Sequence, residues 1–241
     1  MIQKQFNDLN ELVEGRILLF DKPLFWTSFD LVKKVKAIIE KQYRQQYDLR
    51  KKIKVGHAGT LDPLAQGLMV LGTGKKTRTL DTIQALDKEY ITTLELGRTT
   101  PSFDLETMFD REYSLVYVPR RQIEETLQGF TGEIYQIPPI YSAKTINGQR
   151  AYKVARKGGS LELEPNKIFI SDIQLLHYDF PVLTIQVTCG KGTYVRALAR
   201  DIGEKLQTGA HLIGLHRTRI GHYHLKDAFS LKIFEQKVKL M

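Results

Sequence analysis

Apolar and polar positions recur along the chain in two periods. Leu31, Val32, Val35, Ile38 and Ile39 fall on one face at helical spacing, which predicts a helix with Ser28 as its N-cap. That helix runs into the polar stretch 41–54. Val195, Leu198, Ala199, Ile202 and Leu206 predict a second helix within 193–206, and Pro119 opens a short one to Leu127. Gly15 to Phe20, Tyr90 to Leu96, Lys167 to Phe180 and Val182 to Cys189 read as strands, the last two turning at Pro181. Residues 56–74 hold five glycines and the apolar run Leu68 to Leu71, so they read as a loop feeding a buried strand. Residues 132–150, with two adjacent prolines and an Asn-Gly pair, read as a long irregular hairpin or loop. Helices and strands mix without regular alternation. The expectation is an α+β protein, a mixed sheet with helices packed on it.

A length of 241 residues allows one large domain, or one with a small appendage. Hydrophobic residues at 42% and charged residues at 26% exclude a wholly disordered chain. No apolar run approaches a membrane span, and the polar start MIQKQFNDLNELVEG does not read as a signal peptide. The sole cysteine, Cys189, has no internal disulfide partner and sits in VLTIQVTC as a small buried hydrophobe. These features point to the cytoplasm and to no membrane partner. Charge adds a direction. The net +9 is uneven: residues 95–133 hold eight acids and four bases, so the remainder carries +13. A polyanionic partner fits that imbalance. Segment 41–54 has six bases and one acid, with Tyr43 and Tyr47 between them. It reads either as a solvated helix end or as a nucleic-acid contact.

Several chemistries fail on spacing. GTGKKT at 72–77 lacks the first glycine and the Ser/Thr of a phosphate loop, because Met69 and Lys76 stand there. His211, His216, His222 and His224 have no cysteine pair or H-E-x-x-H beside them, so no metal site is expected. No G-x-S-x-G elbow occurs. The dense motif is HAGTLDPLAQG, residues 57–67. Asp62 before Pro63 fits a helix cap, and equally a functional carboxylate in a glycine-rich loop that lets a ligand come close. Glycoside hydrolysis usually needs two carboxylates. One suits an isomerisation at a sugar carbon.

HAGTLDPLAQG resembles the H-x-G-T/A-L-D-P-x-A-x-G motif of the TruB family of tRNA pseudouridine-55 synthases. ILLFDKPLFWTS, Lys88-Glu-Tyr90, Leu96-Gly-Arg-Thr-Thr100 with Asp104, IPPIYSAKTINGQRAYKVARKG, CGKGTYVRALARDIG and GAHLIGLHRTRIG resemble further family blocks, in family order from about residue 15 to 230. The chain departs from the pattern at Phe25, where the family favours Gly, at Thr107 for Gly, at Lys144-Thr145, whose order is reversed, and at His216 for Arg. Segment 41–54 is also longer and more basic than the family pattern suggests.

The resemblance implies a pseudouridine synthase fold: a mixed, largely antiparallel central sheet flanked by helices and long loops. It implies one catalytic domain over 1–241, an RNA-binding loop insertion at about 132–158, and no separate C-terminal PUA-type domain. The implied reaction converts uridine to pseudouridine in the T loop of tRNA, with base flipping and no cofactor or metal. Asp62 would be the essential carboxylate, Arg196 its ion-pair partner, and Tyr90 the residue that stacks on the target base and moves a proton. His57, Lys22, Tyr194 and Leu215 would line the substrate pocket. The expected partner is the T arm of tRNA, engaged by a monomer with no obligate protein partner. Two other readings stay open at this point: an RNA-binding protein of the same fold without catalysis, and the same chemistry on another RNA.

Overall fold

The computed structural model describes residues 6–241 except 49, 143–144, 147–148, 156–158, 160 and 162, with backbone alone at 145–146, 149–150 and 152–153. The chain forms two compact units. One comprises residues 1–89 and 216–241, the other residues 90–215.

The first unit opens with α1 (Leu9–Glu14) and β1 (Ile17–Lys22), followed by α2 (Ser28–Tyr47). Leu31, Val32, Val35, Ile38 and Ile39 are all buried on one face of α2, as their spacing predicts. The cap differs from expectation. Thr27, not Ser28, is the N-cap, in a capping box with Asp30. The tyrosines of 41–54 are also committed internally. Tyr43 is buried and lies 4.6 Å from the Tyr47 ring, and the Tyr47 hydroxyl accepts from Asn10 Nδ2 at 3.1 Å. They fasten α2 to α1, so they do not present free rings to a base. Beyond them Arg50, Lys51, Lys52 and Lys54 are exposed.

β2 (Val55–His57) and β1 both pair antiparallel with β3 (Ala65–Thr73). Leu68 to Leu71 are fully buried there, as the apolar run predicts. After a 3₁₀ turn at Gly74–Thr79 and α3 (Leu80–Ala85), β4 (Lys88–Leu96) carries the chain into the second unit.

That unit continues through a short ribbon, β5 (Arg98–Thr99) with β6 (Arg111–Glu112), then α4 (Arg120–Gln128), with Pro119 as N-cap, and β7 (Gly132–Gln136). Glycine at 132 suggested a loop, yet 132–136 is a strand. Its partner β10 supplies the register (Gly132↔Ile170), a long-range pairing that local composition does not reveal. The loop 137–165 follows, with a small ribbon of β8 (Thr145–Ile146) and β9 (Gln149–Arg150) and then α5 (Ala151–Ala155). The reversed pair Lys144-Thr145 and much of the expected RNA-binding insertion lie outside the described residues or side chains.

β10 (Asn166–Asp179) and β11 (Val182–Cys189) form the predicted hairpin around Phe180-Pro181. Leu183, Ile185, Val187 and Cys189 alternate inward, and Cys189 is buried as expected. α6 (Val195–Lys205) buries Val195, Leu198, Ala199 and Ile202. β12 (Ala210–Ile220) then returns the chain to the first unit, which ends with β13 (Tyr223–His224) and α7 (Leu231–Lys239). Sheet order is β1-β3-β12 in the first unit and β12-β4-β11-β10-β7 in the second. The pairs β1/β3, β2/β3, β7/β10, β10/β11 and β12/β13 are all antiparallel.

Two apolar centres stand among the described residues of the first unit. Leu19, Leu68, Val70, Leu80, Ile83 and Ile220 form one. The other is aromatic: the Phe234 ring lies 5.0 Å from Phe20, 5.8 Å from Phe6 and 5.9 Å from Phe229. Phe234 is the residue that docks α7. Phe234→Ala is therefore expected to cost about 3–5 kcal/mol, read as a lowered denaturant midpoint. A midpoint unchanged by the substitution would show that α7 is not part of the cooperative core.

Candidate active site

The Asp62 loop, residues 58–64, joins β2 to β3 and is fixed at four places within the first unit. At its N-terminal end Ala58 N donates to Val70 O at 2.8 Å. Buried Ser28 holds Leu61 twice: its Oγ donates to Leu61 O at 3.0 Å and accepts from Leu61 N at 2.8 Å. This explains why Ser28 is not the cap; its hydroxyl is spent on the loop. Phe25 N donates to Pro63 O at 2.8 Å. Lastly, the Arg217 guanidinium, 1% exposed, donates from Nε to Leu68 O at 2.8 Å and from an Nη to Gly59 O at 3.1 Å. One rigid planar fork thus spans the loop from its entry to the strand that follows it.

Asp62 stands half-buried on this loop, and Ala65 N donates to its carbonyl at 3.0 Å, closing a turn over Pro63. The helix-cap reading of Asp62 fails, because β3 and not a helix follows. Gly67 has φ +100, and a β-carbon there would lie 2.4 Å from both Arg217 O and His216 Cδ2. The glycine is needed for backbone conformation and for close approach of β12.

Lys22, fully buried, donates from Nζ to Pro23 O at 3.0 Å and Trp26 O at 2.6 Å. Burial pushes its pKa down to about 8, with the Asp62 carboxylate pulling it back up and Arg217 pushing it further down. His57 pairs with Leu71 at the end of β2. Burial, then the Arg217 cation, lowers its pKa, which favours neutral imidazole at pH 7. The first unit thus brings together Asp62, Lys22, His57 and Arg217. It also carries all the excess charge: 22 Lys and Arg against 13 Asp and Glu, compared with 14 against 14 in the second unit.

The second unit holds the other expected residues. Tyr90 is buried on β4, where positions alternate in and out. Leu215 is half-buried on β12. Tyr194 is the N-cap residue of α6, and its backbone N donates to Gln136 Oε1 at 2.9 Å. Arg196, in the first turn of α6, is 4% exposed. It donates to Ser102 O at 3.0 Å and Tyr141 O at 2.8 Å, and its Nε lies 3.6 Å from Asp104 Oδ2.

Asp104, which stands in the sequence only as part of a family block, is the carboxylate that faces Arg196. Its Oδ1 accepts from Glu106 N at 2.9 Å while Oδ2 faces Arg196. The departure at Thr107 is absorbed here: its hydroxyl accepts from Ser102 N at 3.1 Å and lies 2.9 Å from Ser102 Oγ. Arg217 and Ser28 were likewise missed. Their sequence signal is weak, since an arginine in GLHRTRIG and a serine before an apolar helix have many ordinary uses. The described residues include no group of three or more His, Cys, Asp or Glu able to hold a metal ion.

The fold, a mixed sheet with antiparallel strands flanked by helices, is that of a pseudouridylate synthase. The model of the TruB family pseudouridylate synthase N-terminal domain matches residues 44–195, and that of the tRNA pseudouridylate synthase B C-terminal domain matches 196–241. A tRNA pseudouridine synthase B of Phocaeicola vulgatus is 52% identical over 92% of this chain and 93% of its own. One of Parabacteroides distasonis is 53% identical over 91% and 92%. Among solved structures, the archaeal box H/ACA sRNP Nop10–Cbf5 complex matches the fold with TM-score 0.65 at 24% identity, covering 94% of this chain and 54% of that one. The chain belongs to the TruB family of pseudouridylate synthases.

Two outcomes follow from the geometry. Gly67→Ala adds a β-carbon inside contact distance of backbone and imposes a strained φ, so a loss of about 2–3 kcal/mol in urea unfolding is expected. Lys22 gives a pH dependence. Between pH about 8 and 10.5 the unfolded chain keeps this proton and the folded chain has released it. The unfolded state then binds more protons, so the contribution of Lys22 to stability rises with pH across that window, by up to about 3 kcal/mol. Wild type should gain on Lys22→Met between pH 7.5 and 10. A gap independent of pH would mean that Lys22 stays protonated throughout.

Proposed function

We propose that this chain converts uridine to pseudouridine at position 55 in the T loop of tRNA, with residues 1–241 acting as one catalytic domain and the segment at about 132–158 contacting RNA. The observation that carries the residue assignment is the bracing of the Asp62 loop by Ser28, Phe25 N and Arg217. Such bracing limits the motion of one carboxylate, which is what a positioned nucleophile or charge stabiliser needs. The tRNA substrate is supported by the names of the relatives and by the basic first unit.

In this reading the target uridine leaves its stack to reach Asp62. The N1–C1′ bond breaks, the base turns, and C5 bonds to C1′; C5 gives up its proton and N1 gains one, so nothing is oxidised or reduced. Asp62 acts ionised, by attack at C1′, by attack on the base, or by stabilising an oxocarbenium-like sugar. Arg196 is its ion-pair partner, with Asp104, Ser102 O and Tyr141 O fixing the guanidinium beforehand. Tyr90 stacks on the base and handles the C5 proton. Tyr194, Leu215, Lys22 and His57 line the pocket; neutral His57 adds bulk and hydrogen-bonding capacity without a charge. The protein works as a monomer on the T arm.

The test is tritium release from a T-arm transcript labelled at uridine C5. Asp62→Asn keeps size and removes charge, so turnover should fall by several orders of magnitude while RNA affinity stays within about tenfold, roughly 1.4 kcal/mol. Near wild-type turnover in that variant would sink the assignment.

A further inference from the structure

We propose that Phe25 is a stacking platform for an unpaired nucleobase of the RNA, beside the loop that carries Asp62; this rests on the reading of the substrate as RNA. Phe25 is 73% exposed and its φ is +66, in the left-handed region. A side chain there meets steric resistance that glycine does not. The exposed ring recovers little burial in return. Among the described residues no aromatic ring or cation packs on it. The residue is thus unfavourable for the isolated chain in both conformation and exposure.

Its base, by contrast, is rigid. Lys22 Nζ holds Pro23 O and Trp26 O, and the Thr27–Asp30 capping box closes the segment. Phe25 N is itself bonded to Pro63 O, one residue from Asp62. A flat apolar face is therefore fixed to the candidate catalytic loop at low conformational cost on binding.

The surroundings specify the occupant. Phe29, 58% exposed in the first turn of α2, has Lys33 Nζ 4.5 Å from its ring centroid. Exposed aromatic faces interleaved with cations, on the unit that carries the whole charge excess, fit a ligand with flat bases on an anionic backbone. An apolar protein partner would have to leave those cations uncompensated. Stacking does not read sequence, so Phe25 adds affinity for a flipped or flanking base without choosing its identity.

The experiment compares wild type with Phe25→Gly, Phe25→Leu and Phe25→Trp. Each is measured for thermal unfolding without RNA and for binding of a T-arm stem-loop at one fixed salt concentration. Phe25→Gly should raise Tm, because the backbone strain is relieved, and weaken RNA binding about tenfold, roughly 1.4 kcal/mol. Phe25→Leu should lose affinity similarly, and Phe25→Trp should bind at least as tightly as wild type. Opposite signs for stability and affinity separate a ligand platform from a packing residue, which would lose both. Unchanged binding in Phe25→Gly, a lowered Tm in that variant, or equal binding by Leu and Trp overturns the proposal. Wild-type pseudouridine formation on the same stem-loop is assayed alongside. If it occurs and Phe25→Gly binds normally, only the platform falls; if wild type neither binds nor modifies the stem-loop, the RNA reading falls with it.

Discussion

The candidate chemistry in the first unit depends on one buried cation. Arg217 spans from Gly59 O to Leu68 O, fixing the loop between them to β12. A guanidinium away from water is costly unless its donors are satisfied, and here backbone carbonyls of the Asp62 loop and of β3 satisfy them. The dependence is mutual. If the loop opened, the arginine would lose its Gly59 partner. If the arginine were removed, the carbonyls would be left in an apolar setting. The glycine at 67 is part of the same constraint, since any β-carbon would push β12 and its arginine away.

Charge is organised around this point. Lys22, His57 and Arg217 lie close enough that Arg217 lowers the pKa of both others, while Asp62 partly restores that of Lys22. Burial gives the largest effect on each. The result is a neutral imidazole and an easily deprotonated amine, with the Asp62, Asp21 and Asp30 carboxylates acting on that amine. In the second unit Arg196 is buried too, facing a carboxylate in Asp104 and donating to two carbonyls. Its fork is held in one orientation by these three contacts.

The departures from the family pattern divide by where they fall. Thr107 replaces a glycine and finds a hydrogen-bonding role with Ser102. His216 replaces an arginine and packs against the Gly67 position. Phe25 replaces a glycine and finds no internal compensation, keeping a left-handed backbone and an exposed ring. Thr107 is thus accommodated by hydrogen bonds, His216 packs closely but leaves its buried Nε2 without a hydrogen-bond partner, and Phe25 is exposed beside the loop it helps to hold.

Much was legible from the chain alone, for local reasons. The apolar face of α2, the alternation in β11 and the run in β3 each follow from a period that neighbouring residues set by themselves. The motif HAGTLDPLAQG marked the loop of Asp62 because glycine, proline and a carboxylate at fixed spacing carry conformational information locally. What stayed hidden depends on partners distant in sequence. Strand β7 exists because β10 supplies its hydrogen bonds, Ser28 gives its hydroxyl to Leu61 and leaves the cap to Thr27, and Tyr43 and Tyr47 turn inward because α1 lies beside them. The pairing of Arg196 with Asp104 and the fork of Arg217 belong to the same class. A residue type in one dimension says which bonds it can make; only the folded chain, by bringing 28 to 61 and 217 to 59, decides which of them it does make.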